Sequence, residues 1–115
     1  MIEDKILSKL KLIKENNLRL VGISHESFLK DGTDYISRIT MRFASIPNIE
    51  GECEAAFLFN DCDLFFTADK LWESPCYVSL IINDLCNDGL ERIHYEIREA
   101  EGLFSFYCGI IEVIV

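Results

Sequence analysis

The stretch Leu90 to Val115 reads LERIHYEIREAEGLFSFYCGIIEVIV, and its pattern decides the fold class. Ile93, Tyr95 and Ile97 alternate with Arg92, His94, Glu96 and Arg98, the period of two that marks a strand with one buried and one wet face. Glu99-Ala100-Glu101-Gly102 follows as a polar loop whose glycine can take the left-handed conformation that closes a type I turn. Phe104, Phe106 and Cys108 then share a face, so the stretch reads as a hairpin that carries much of the core. Beyond Cys108 the parity changes, because Glu112 belongs in solvent and this turns Ile111, Val113 and Val115 inward. A bulge at Gly109 makes that shift, and one is predicted there.

Upstream, Cys76 to Asn83 (CYVSLIIN) is apolar on both faces and is expected to be a central strand, followed by the acidic hairpin loop Asn83 to Gly89. Asp69 to Pro75 is a loop or a single helical turn. In ECEAAFLF, Cys53, Ala55, Phe57 and Phe59 share one face, and LFFTA from Leu64 to Ala68 reads as the return strand after a tight turn at Asn60 to Asp63. Ile46 to Gly51, with Pro47 lacking a donor, connects strands. Tyr35 to Ala44 alternates cleanly: Tyr35, Ile39, Met41 and Phe43 take one face, Arg38, Thr40 and Arg42 the other, where carboxylates of a neighbouring strand can pair with the arginines.

His25 to Asp34 is polar enough for a loop, anchored by Phe28-Leu29 and turned by Asp31-Gly32, and Leu18 to Ser24 suits a short strand weakened by Gly22. Ile2, Ile6, Leu10 and Ile13 recur at spacings of four, four and three, the stripe of an amphipathic helix of about four turns. Glu3 and Asp4 in its first turn and Lys14 in its last complement the helix dipole, and Asn16-Asn17 stops it. The sum is an α+β fold: an N-terminal amphipathic helix packed on a mainly antiparallel sheet of about six to seven strands.

With 115 residues, half of them hydrophobic, the chain is expected to form one domain over 1–115 that needs neither metal nor disulfide. Its start lacks the basic segment and apolar run of a signal peptide, and no apolar run approaches a membrane span, so a cytoplasmic protein is expected. Five cysteines, with no C-x-x-C pair, read as reduced thiols. Cys53, Cys76 and Cys108 fall in strand-like runs, where a thiol serves as a small buried hydrophobe.

No catalytic constellation stands out. His25 has no second ligand or base at useful spacing. His94, with Glu96 two residues on, is the best candidate base, but alternating charged residues are the ordinary way to solvate an exposed sheet face, and that reading is preferred. Cys86 and the other thiols stand beside no histidine. Asp61 and Asp63 form a D-x-D without the further oxygen ligands of a calcium loop, and turn chemistry explains them. The reading is therefore a protein that is not an enzyme, with no cofactor and no metal.

Charge is more informative. The net charge is −9, but up to Ile49 eight Lys or Arg face six Asp or Glu, and from Glu50 onward three face fourteen. The second part, at −11, lacks the basic patch that a nucleic-acid backbone requires and favours a basic protein partner, although acidity also serves solubility alone. The carboxylates gather in turns, and Trp72 between Asp69 and Glu73 is either an interface anchor or a core residue. The candidate partner-binding residues are Asp69, Trp72, Glu73, Asp84, Asp88 and Glu91. Of the two acidic ends of the Leu90 strand, the Asp84 to Glu91 end is favoured.

In its proportions, and in Leu90-Glu91-Arg92-Ile93-His94-Tyr95-Glu96-Ile97 followed by Leu103-Phe104-Ser105-Phe106-Tyr107-Cys108, the chain resembles the small acidic immunity proteins of bacterial polymorphic-toxin and contact-dependent growth inhibition systems. The resemblance spans about a quarter of the chain and rests on no signature motif. It implies a protein that binds and neutralises a cognate toxin domain, often a basic nuclease, by covering its active site with carboxylates that mimic phosphates. Neither direct nucleic-acid binding nor membrane insertion is expected, and a homodimer is compatible with this reading. The competing class is a structural or regulatory subunit that self-associates through a sheet edge or helix face.

Overall fold

A computed structural model describes residues 2–30, 32, 34–45, 53–67, 77–85 and 93–115. It shows an α+β fold: helix α1 (Asp4–Glu15) precedes strands β1 (Arg19–Lys30), β2 (Asp34–Ala44), β3 (Ala55–Asn60), β4 (Asp63–Thr67), β5 (Leu80–Asp84), β6 (Tyr95–Glu99), β7 (Phe104–Cys108) and β8 (Ile110–Val113). Every described pairing is antiparallel. The strands form two four-stranded sheets, ordered β1-β2-β3-β8 and β4-β7-β6-β5, where the sequence pattern predicts one.

One bent ribbon explains the second sheet. β3 pairs with β8 and β4 pairs with β7, so the same two chain segments run through both sheets and bend together between them. On one segment the bend falls at Asn60 to Cys62, where Asp61 has φ 55, a left-handed conformation that aspartate tolerates better than most residues. On the other it falls at Gly109, whose N–H donates to the Asn60 carbonyl at 2.9 Å. The predicted tight turn at Asn60 to Asp63 is thus a corner, because β3 finds its partners in β2 and β8 and not in β4. The parity change expected at Gly109 is present as far as Ile111, with Cys108 and Ile111 buried and Ile110 and Glu112 exposed. It comes from the corner between two sheets in place of the predicted bulge, and Val115, expected inward, is 45% exposed.

Ile39, Met41 and Phe43 of β2 and Phe57 and Phe59 of β3 form one core with Phe104, Phe106 and Cys108 of β7 and Ile97 of β6. Each such side chain contributes about 1.5–3 kcal/mol of burial. The helix stripe also lies as its spacing predicts: Ile6 and Ile13 are buried in this core, Ile2 and Leu10 lean on it, and α1 packs against β3 and β8. Asn17, at φ 52, ends the helix with its N–H on the Lys14 carbonyl.

Two further expectations are corrected. β1 runs on to Lys30 through the segment read as a loop, paired with β2 along its length, with a register shift between Leu20 and Gly22. Its outer half is polar because it belongs to a two-stranded ribbon that is wet on both faces. The strand read as central is β5, at the edge of its sheet and beginning only at Leu80. Tyr77 lies before it and is spent on Arg19, whose guanidinium carbon sits 4.3 Å from the centre of the tyrosine ring. The connection at Ile46 to Gly51, the segment Asp69 to Pro75 and most of the loop Asn83 to Gly89 lie outside the described residues.

Candidate interaction surface

Of the residues singled out for partner binding, Asp69, Trp72, Glu73, Asp88 and Glu91 lie outside the described residues. Asp84 is described and exposed at the end of β5. Register places it: Asp84 pairs with Tyr95, Tyr95 pairs with Cys108, and Asp63 pairs with Tyr107 one residue away. Asp84 and Asp63 therefore mark the same end of one sheet, three strand spacings or about 14 Å apart, with the one-residue offset turning them to opposite faces of its rim. Asp61, half-buried in the corner, adds a third carboxylate next to Asp63 in the chain.

The corner is tied where the edge begins. Leu85 N–H donates to the His94 carbonyl at 2.7 Å, and His94 N–H to the Cys108 carbonyl at 3.0 Å. His94 Nδ1 lies 3.1 Å from the Gly109 carbonyl oxygen, which can only accept, so this nitrogen carries the proton. The histidine that sequence reading marks as the best base is thus engaged in holding the bend. On the outer face, Glu96 accepts from Asn83 Nδ2 at 2.7 Å and lies 3.7 Å from Arg98 Nε. Across β4 to β7 and their corner, Arg98 is the sole described Lys or Arg, against Asp61, Asp63, Asp84, Glu96, Glu99 and Glu101.

The opposite end of the sheet differs. Glu99, read from sequence as a loop residue, continues the inward row of Tyr95 and Ile97 and is buried. Its carboxylate accepts from the backbone N–H groups of Ser79 (2.9 Å), Glu101 (2.7 Å) and Leu103 (3.4 Å), which makes it the clasp of the β6–β7 turn. Between this turn and α1 lies a cleft of about 730 Å³ with an apolar floor that includes Leu10, Ile13 and Val78. Lys11 and Lys14 line one wall and Glu101 the other, so charge at this end is mixed.

The described thiols Cys62 and Cys108 are packing residues. Cys62 and Cys108 face each other across the bent ribbon, flanked by the pairs Asn60 with Ile110 and Asp63 with Tyr107. Burial pushes the Cys62 thiol up to about 12 and raises that of Cys108 as well, so neither supplies thiolate near neutral pH. Among the described residues no three His, Cys, Asp or Glu side chains gather as metal ligands, and no helix is long and apolar enough to cross a membrane. Arg38 stands opposite Glu26 in the β1–β2 ladder, and its Nε also donates to Asn60 Oδ1 at 3.2 Å, while Asn60 Nδ2 donates to Glu112 at 3.1 Å.

Comparison of the chain with protein-family models, with curated proteins and with solved structures gave no match.

Proposed function

We propose that the chain is a non-catalytic binding protein of the immunity type, which captures a basic toxin domain on the acidic edge defined by Asp61, Asp63 and Asp84. One observation carries this reading. The charge imbalance along the sequence recurs at this edge, where Asp61, Asp63 and Asp84 gather while Arg98 is the sole described Lys or Arg within β4 to β7. Such an edge steers a cationic surface into contact and accelerates association. The Asp84 end is favoured over the Glu101 end because Lys11 and Lys14 offset the charge at the latter.

The test is co-expression and capture. The tagged chain is expected to retain one basic protein that is released by salt, and to restore growth of cells producing that protein. Retention of only acidic or neutral proteins, or growth that stays arrested with the complex formed, would overturn the reading.

A further inference from the structure

The β1–β2 hairpin reaches beyond both sheets. β3 pairs with β2 only from Arg38 onward, so the part from Ser27 and Ser37 to Lys30 and Asp34 is a two-stranded arm. Leu29 and Tyr35 are direct cross-strand partners near its tip, about 13 Å past Ile39, the outermost core residue of β2. They lie on the face that continues the core row Ile39, Met41 and Phe43, yet Leu29 is 52% and Tyr35 73% exposed.

A free two-stranded ribbon is marginal in water, and this one is fixed at its root. His25 packs on Phe65 with ring centres 5.1 Å apart, Arg38 bonds Asn60, and Ser27 and Ser37 hydroxyls meet at 3.1 Å. On the reverse face Arg38 lies over the Phe28 ring at 5.1 Å. The arm thus holds two large apolar side chains out from a rigid base, which lowers the entropy cost of seating them in a partner.

The surroundings of the root select the partner. Cys62 N–H donates to the Ser37 carbonyl at 3.0 Å, which sets Asp61 and Asp63 two residues along the ribbon from Tyr35. With Asp61, Asp63 and Glu26 against the one described arginine of the root, Arg38, an anionic lipid surface is disfavoured, and a second copy docking arm to arm would oppose like charges in a chain of net charge −9. A protein with an apolar pocket rimmed by cations meets both features. Building on the proposed function, we infer that the arm is an apolar wedge, with Leu29 and Tyr35 seated in such a pocket of the basic partner while Asp61 and Asp63 meet its rim.

The experiment places a photoreactive p-benzoylphenylalanine at Tyr35, at Asn83 beside the acidic edge, or at the exposed Leu7 of α1, in the full chain within cells that naturally carry it. Irradiated adducts are identified by mass spectrometry. Positions 35 and 83 are expected to trap the same basic protein, and position 7 at least about tenfold less of it. If position 83 traps a basic protein and position 35 does not, the wedge is overturned and the acidic-edge reading stands. If neither position traps one, both fall. Adducts at position 35 to a second copy of the chain or to lipid would overturn the wedge by assigning the arm another occupant.

Discussion

Phe59 and Phe106 meet edge to face with ring centres 5.1 Å apart, and this contact joins β3 of one sheet to β7 of the other. Phe106 also touches Phe65 and Phe104, so it is the hub at which the bent ribbon closes on itself. Phe106→Ala is expected to cost about 3–5 kcal/mol in urea unfolding. Phe28→Ala, on the exposed arm, should cost about 1 kcal/mol or less, mainly its contact with Arg38.

Glu99 holds the far turn by accepting three backbone N–H bonds while buried. Glu99→Gln keeps one oxygen as acceptor but turns an NH₂ toward donors, at an expected cost of about 1–3 kcal/mol. Glu101→Gln, exposed in the same turn, is expected to stay within about 0.5 kcal/mol of the parent. Equal losses in the two variants, read from their urea midpoints, would remove the clasp role.

Gly102 closes that turn at φ +86, and a Cβ there would meet nothing within 4 Å. The cost of Gly102→Ala is therefore purely one of backbone conformation, about 1–2 kcal/mol. Thermal unfolding of the variant is the measurement, and the same substitution at Gly32 (φ +79) is expected to behave alike.

The Cys62 thiol is held near 12 by burial, against an ordinary value of 9.0, so the folded chain binds its proton more tightly than the unfolded chain does. Stability from this group is fully present below pH 9.0 and is lost as pH rises from there toward about 12. Urea unfolding at stepped alkaline pH is expected to show a decline that flattens in Cys62→Ala. An unchanged slope would show that the thiol is accessible to solvent in the folded chain.

How much of this could be read in the sequence depends on the element. The β6–β7 hairpin was legible because period-two alternation and Gly102 agree, and the parity change at Gly109 because Glu112 can sit only in solvent. The two-sheet arrangement was not. Asn60-Asp61-Cys62-Asp63 has the same turn chemistry in a hairpin and in a corner, and the choice belongs to the distant partners of β3. Glu99 read as loop because its carboxylate is charged, although its parity with Tyr95 and Ile97 pointed inward.

The surface divides in the same way. The acidic character of the second part of the chain was plain from counting, and Asp84, read as a residue of the acidic loop, is the last residue of β5. That Asp61 and Asp63 share its edge follows from β4 pairing with β7, which local pattern cannot supply. The arm was missed for a physical reason. A ribbon wet on both faces has no buried row to mark it, so Phe28-Leu29 read as loop anchors, whereas Leu29 is exposed at the tip.

The central claim is that the Asp61, Asp63 and Asp84 edge steers a cationic partner, and association rate against ionic strength tests it most directly. With the purified basic partner, the parent chain is expected to associate more slowly as salt rises, and Asp84→Lys to associate more slowly at low salt with a shallower dependence. Identical rates and identical salt slopes for the two chains would contradict the claim and place the interface elsewhere.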